Sequence, residues 1–220
     1  MIKISIEQEL REKCPGMALG IIECQVYNSF HDEKLWEKIE RSIKFTRENY
    51  QMDEVKLQTQ IAATRLVYKA CGKEPNRYRP SAEALYRRII KNFNLYKVNT
   101  LVDLVNLLSI KTGYSIGGFD ASKIIGDIKA GIGKKKEPYE AIGRGTLNVE
   151  FLPILRDEKG GIGTPTSDEV RTAIDENTSQ FLMNINGYTG KKDLPKAMKM
   201  AEELLIEHVN ANNIKTRIIE

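Results

Sequence analysis

The chain has 220 residues, 41% apolar and 29% charged, with 34 lysines and arginines against 30 acids and a net charge of +4. That length and balance predict one soluble globular domain over residues 1–220, and exclude a disordered or fibrous chain. No run approaches the ~20 apolar residues of a membrane span, and the opening MIKISIEQELREK lacks the apolar stretch and cleavage site of a secretory signal. Three scattered cysteines, Cys14, Cys24 and Cys71, form neither a disulfide framework nor a zinc site, so a reducing cytoplasm is expected, with no metal or cofactor.

In chain order, residues 1–6 alternate as a strand. Residues 17–27 (MALGIIECQVY) read as a strand too continuously apolar for an open edge. Asp32 can cap a helix running to about residue 50, with Leu35, Trp36, Ile39, Ile43 and Phe45 as its core stripe. His31 ahead of it and His208 near the C-terminus read as surface residues. Residues 53–71 carry another helical pattern. Pro80 and Ser81 mark a helix start, Ser81 as cap, followed by Leu85, Ile89, Ile90 and Phe93 at helical spacing. A helix over residues 99–109 is apolar nearly all round and is expected to be buried. Asp103 and Asn106 are its polar islands, and a buried amide needs a partner or a ligand because an unpaired one is costly.

After Asp120 the chain turns glycine-rich, with Lys134, Lys135 and Lys136 between Gly133 and Gly143. Neither phosphate-loop nor dinucleotide spacing is present, so tight turns between short strands are the expectation. Residues 147–155 read as a strand, and 156–163 as a turn and return path. Ser167 or Asp168 begins a helical turn carrying Arg171, which Asp168 can pair at i, i+3. Residues 181–188 read as a strand, 194–209 as an amphipathic helix and 214–219 as a last strand. Without regular βαβ alternation, the fold class is α+β.

Charge is unevenly placed. Residues 65–97 hold nine Lys or Arg against Glu74 and Glu83, a local charge of +7 that leaves the rest of the chain at −3. Such a block is the footprint of phosphate contact, with Arg77, Arg79, Arg87, Arg88 and Lys91 as candidate RNA contacts; a solvated helix face is the plain alternative. Tyr78, Tyr86 and Tyr96 lie among these charges, either to stack on unpaired bases or to pack inward.

The segment VNTLVDLVNLLSIKTGYSIGGFD resembles the B3/4 domain of the phenylalanyl-tRNA synthetase beta subunit through Asn99, Val102, Asp103, Asn106, Gly113, Phe119 and Asp120. RYRPSAEALYRRI, upstream, resembles that domain's Arg-rich helix. The likeness runs over about residues 65–190 and is strongest over 77–120. It implies a stand-alone B3/4 protein, with a mixed-sheet sandwich core, flanking helices, and a strand–helix and a helix–strand decoration at the two ends.

The resemblance also implies editing chemistry, the hydrolysis of a mischarged aminoacyl-tRNA ester, with tRNA as partner and neither DNA nor a membrane. It points to a pocket at Asn106, Gly117, Gly118, Asp120 and Arg171. Asn106 would bind the amino group or a water, and the two glycines would offer backbone N–H groups to an ester or carboxyl oxygen. Asp103 and Asp168 are further carboxylates near these loops. The chain departs from the family at two positions: Gly117 stands where the editing domain has a histidine, and Asn184 where it has a glutamate. No nucleophile–base pair is visible elsewhere. A non-catalytic module binding a small amino-acid-like ligand is therefore the second expectation.

Overall fold

A computed structural model describes all of residues 1–220. The elements run β1 (Ile4–Ile6), α1 (Gln8–Lys13), β2 (Ala18–Gln25), α2 (Glu33–Asn49), α3 (Thr59–Cys71), α4 (Ser81–Ile90), α5 (Thr100–Thr112), β3 (Ile116–Asp120) and β4 (Ile128–Ile132). They continue with the two-residue strands β5 (Glu140–Ala141) and β6 (Gly145–Thr146), β7 (Pro153–Asp157), β8 (Gly160–Gly163), β9 (Gln180–Gly187), α6 (Leu194–Val209) and β10 (Asn212–Ile219). The expected α+β class is what the chain forms.

Two four-stranded sheets carry the fold, in the orders β1-β4-β7-β8 and β10-β2-β9-β3. All pairings within them are antiparallel except β1 with β4. The second sheet is covered on both faces. Leu19, Ile21, Phe119 and Leu182 face the first sheet, in a core shared with Ile4, Ile128 and Ile162. Ile22, Met183 and Ile185 face the helices and pack with Leu35, Leu104 and Leu205. Burial on both faces is why residues 17–27 read as an unbroken apolar run rather than an alternating one.

Local signals set most boundaries. The Asp32 carboxylate accepts the Leu35 N–H at 2.8 Å and starts α2. The Asn99 side chain accepts the Val102 N–H at 3.0 Å and starts α5, which ends at Gly113 with φ +75°. Trp36 is core, as expected, and its Nε1–H donates to Asp103 Oδ2 at 2.6 Å.

Several expectations are corrected. Ser81 does not cap α4: Pro80 holds that position, and the Ser81 N–H donates to the Pro165 carbonyl at 2.7 Å. Phe93 lies beyond the end of α4, where Asn92 turns left-handed, and is exposed. Residues 53–71 divide into a 3-10 turn, Val55–Leu57, and α3. The strand expected over 147–155 begins only at Pro153; before it the chain turns, with Phe151 at φ +67°. Ser167 and Asp168 precede the helical turn, which is Val170–Thr172. His208 is buried, not exposed: Nδ1 lies 3.3 Å from Asp32 Oδ2, and Nε2 lies 3.0 Å from Lys38 Nζ.

Candidate functional site

β3 is the edge strand of the second sheet, and beside it opens a cleft of about 510 Å³. Three regions wall it: α4 with the segment that follows it, the outer face of α5, and the loop holding Asp168. Val102 and Asn106 project from α5 into it, one helical turn apart. α5 is thus buried on most sides but not on this one. Asn106 is half-buried and its amide has no partner within the chain, whereas Asp103 points inward and accepts from Trp36 and from the Val98 N–H at 3.2 Å. Burial raises the Asp103 carboxyl, and those two donors offset part of the rise. The two polar islands of one helix therefore have opposite fates.

Gly117 and Gly118 are extended strand residues, not turn residues. Gly117 pairs with Asn184 and faces the inter-sheet core; Gly118 faces the cleft. The Gly118 N–H is already taken by Asp168 Oδ2 at 3.2 Å, so it is not on offer to a ligand. A Cβ built on Gly117 would lie 2.7 Å from Cζ of Phe119, so a histidine has no room on this backbone while that ring stays in place.

Asp120 and Arg171 do not line the cleft. Asp120 is buried and bonded to the Ser122 hydroxyl at 2.6 Å and the Thr178 hydroxyl at 3.0 Å, with Lys123 Nζ at 3.4 Å. Arg171 pairs with Asp157 rather than Asp168, through two bonds of 2.9 Å. Burial pushes the Asp157 carboxyl up, but Arg171 and the backbone N–H groups of Ile125 and Lys159 outweigh it and hold the group below its ordinary value. Asp168, near the cleft in sequence only by loop proximity, proves to be part of its wall. Burial pushes its carboxyl up to about 7 against the opposing Gly118 N–H, although the residue keeps some exposure at the cleft.

The basic block is dismantled by its neighbours. Glu83 is fully buried and binds both Arg65 and Arg87, each at 2.8 Å, which commits Arg87 to the interior. Lys73 is buried too, donating to the carbonyls of Asn148 and Glu150 at 2.7 Å; burial lowers its ammonium to about 8. Tyr86 packs inward and donates to the Ile110 carbonyl, and Tyr78 lies under Lys73 Nζ, 3.7 Å from the ring centre. Arg77, Arg79 and Lys91 are exposed and lie outside the cleft wall.

Arg88 is placed differently. Its Nε donates to the Asn94 carbonyl at 2.6 Å, and its guanidinium lies 4.2 Å from the exposed Tyr96 ring, both residues lining the cleft. Arg144 adds a second charge to the lining. It sits exposed between Gly143 and Gly145, whose φ values of +67° and +71° make the tight turn that carries it. The sequence marks that turn through its glycines but does not say that the arginine between them reaches α5's pocket.

A two-sheet α+β fold with this cleft at a sheet edge defines the class. Residues 63–207 match the B3/4 domain family, more than half of the chain, and the chain belongs to that family. It is similar to the "Phenylalanine--tRNA ligase beta subunit" of Mycoplasmoides gallisepticum (strain R(low / passage 15 / clone 2)), 31% identical over 107 residues, which is 46% of this chain and 13% of that one. The chain thus spans a small part of the curated relative's length. Among solved structures, an N-terminal fragment of the phenylalanyl-tRNA synthetase beta subunit from Pyrococcus horikoshii superposes over 96% of this chain and 50% of its own, with 15% identity and a TM-score of 0.49. No helix is long and apolar enough to cross a membrane.

Proposed function

We propose that the chain binds tRNA, receives its aminoacyl end in the cleft beside β3, and hydrolyses a mischarged ester there. The observation that carries this reading is the convergence of Asn106, Arg88 stacked on Tyr96, and Arg144 on one cleft. An exposed ring backed by a guanidinium suits an unpaired base, and a second cation suits the phosphates of a single-stranded end. The Asn106 amide would donate to the ester carbonyl as negative charge develops on its oxygen. Water would bond to the carbonyl carbon, the bond from that carbon to the ribose oxygen would break, and a proton from the water would pass to that oxygen, releasing the amino acid and the tRNA's terminal hydroxyl. No imidazole is at hand, since His31 precedes the cap of α2 and His208, on α6, packs against Asp32 and Lys38, both outside the cleft.

A second reading is favoured by the bond from Gly118 to Asp168, which removes one N–H group from any oxyanion site. In it, the same cleft binds a small amino-acid-like ligand without turnover. Deacylation of a panel of correctly charged and mischarged tRNAs separates the two. Selective release by the wild type that is lost in Asn106→Ala supports hydrolysis. Retained tRNA binding with no release of any amino acid leaves binding alone.

A further inference from the structure

The buried carboxylates Glu83, Asp103, Asp120 and Asp157 are each answered by two or more donors, whereas Asp168, partly exposed at the cleft, is not. Glu83 has two arginines; Asp157 has Arg171 and the N–H groups of Ile125 and Lys159. Asp103 and Asp120 have two donors or more each. Asp168 has the Gly118 N–H on Oδ2, and Oδ1 has no donor from the chain. Oδ1 lies against two glycines: a Cβ on Gly117 would be 3.4 Å from it and one on Gly163 2.8 Å.

A second acceptor is stranded on the same face. Asn184 is the cross-strand partner of Gly117, and paired residues project to the same side of a sheet. Its Nδ2 donates to Asn186 Oδ1 at 3.0 Å, and Asn186 Nδ2 donates to the Ser115 carbonyl at 2.8 Å. That chain of bonds fixes the amide and leaves Asn184 Oδ1 buried with no donor, in a residue 1% exposed. Asp168 and Asn184 both line a space of about 10 Å³ between the sheets, and Asp168 lines the open cleft as well. Once Asp168 is ionised, the two groups are both acceptors without donors, and they are complemented by a group that is all donor and positively charged.

We propose that Asp168, backed by Asn184, is the receptor for a ligand's amino group, so that the cleft selects primary amines of the amino-acid class. The proposal rests on the reading of the cleft as an amino-acid site, and it holds for an aminoacyl ester and a free amino-acid derivative alike. A carboxyl that burial keeps protonated gives up its proton when an ammonium arrives to supply the missing countercharge. Binding therefore releases a proton.

The test uses the full chain and amides of alanine, leucine, phenylalanine and tyrosine, each beside the analogue with hydrogen or hydroxyl in place of the amino group. Calorimetry at about pH 6, in two buffers of different ionisation enthalpy, reads affinity and proton release together; there the α-amino group is charged and Asp168 is mostly protonated. At least one amide is expected to bind about tenfold or more tighter than both of its analogues, as loss of one partner of a buried charge pair requires. It should release up to about one proton per ligand. Asp168→Asn keeps an acceptor for the Gly118 N–H and should erase both the preference and the release. Equal binding of amine and analogue, no binding of any amide, or a preference unchanged in Asp168→Asn overturns the proposal. Filter binding of tRNA to the wild type runs alongside: tRNA binding without amine preference overturns this inference alone, and amine preference without tRNA binding overturns the tRNA reading alone.

Discussion

Phe119 lies over Gly117, two residues before it on the same face of β3, close enough that a Cβ on the glycine would meet its Cζ at 2.7 Å. The same ring closes on Gly163 of β8, where a Cβ would be 2.5 Å from Cζ. Two strands from different sheets are thus held to one aromatic ring by the absence of side chains. A side chain at position 117, where the resemblance implies a histidine, has no room while that ring stays in place.

Restoring that side chain is therefore expected to harm the protein rather than awaken it. Gly117→His must displace the Phe119 ring from a filled core, an overpacking cost of about 1–3 kcal/mol. Urea denaturation should show the loss, and deacylation should not rise above the wild type. A variant as stable as the wild type would mean that the ring has another place to go.

Arg87 and Arg88 adjoin in sequence and should separate in experiment. Removing Arg87 leaves the buried Glu83 with Arg65 alone, and loss of one partner of a buried pair costs about 3–5 kcal/mol at its largest. Arg87→Ala should lower the denaturation midpoint, whereas Arg88→Ala should leave it nearly unchanged. Arg88→Ala should instead weaken tRNA binding and reduce the slope of log affinity against log salt by about one contact. The reverse assignment of the two phenotypes would remove Arg88 from the proposed interface.

Asp168 gives a stability signature with a definite sign. Its folded value of about 7 is above the ordinary carboxylate range, so between those values the native state binds more protons than the unfolded chain. Its contribution is favourable at low pH and is lost as pH rises toward and through 7. Asp157, held low by Arg171, works in the opposite direction and loses its contribution as pH falls. In urea titrations from about pH 4 to 8, Asp168→Asn should therefore gain on the wild type steadily as pH rises. A difference independent of pH would show that Asp168 ionises normally in the folded protein.

Much of the fold is legible in the order of the residues. Asp32 caps α2 within three residues, as its spacing predicts, and Leu35, Trp36, Ile39 and Ile43 of the α2 stripe face the core, although Phe45, expected with them, is exposed. These are short-range effects, written wholly in neighbouring residues. Ser81 is the first residue of α4 rather than its cap, and its N–H is held by the Pro165 carbonyl, 84 residues away along the chain. His208 failed as a surface residue because α2 brings Asp32 and Lys38 against it.

By itself, the sequence determined the α+β class, the B3/4 likeness, the amphipathic helices and the placing of Asn106 on the helix that walls the cleft. Only the tertiary structure decided which charges are spent and which remain. Arg65, Lys73, Arg87 and Arg171 find their acceptors between 4 and 77 positions away along the chain, while Arg144 and, beyond its bond to the Asn94 carbonyl, Arg88 face the cleft. It also decided that Asp168, an ordinary loop acid in the sequence, lies against a sheet edge without a cation. The physical reason is that a charge's worth depends on burial and on the partner across from it, and both are set by which distant segments the fold brings together.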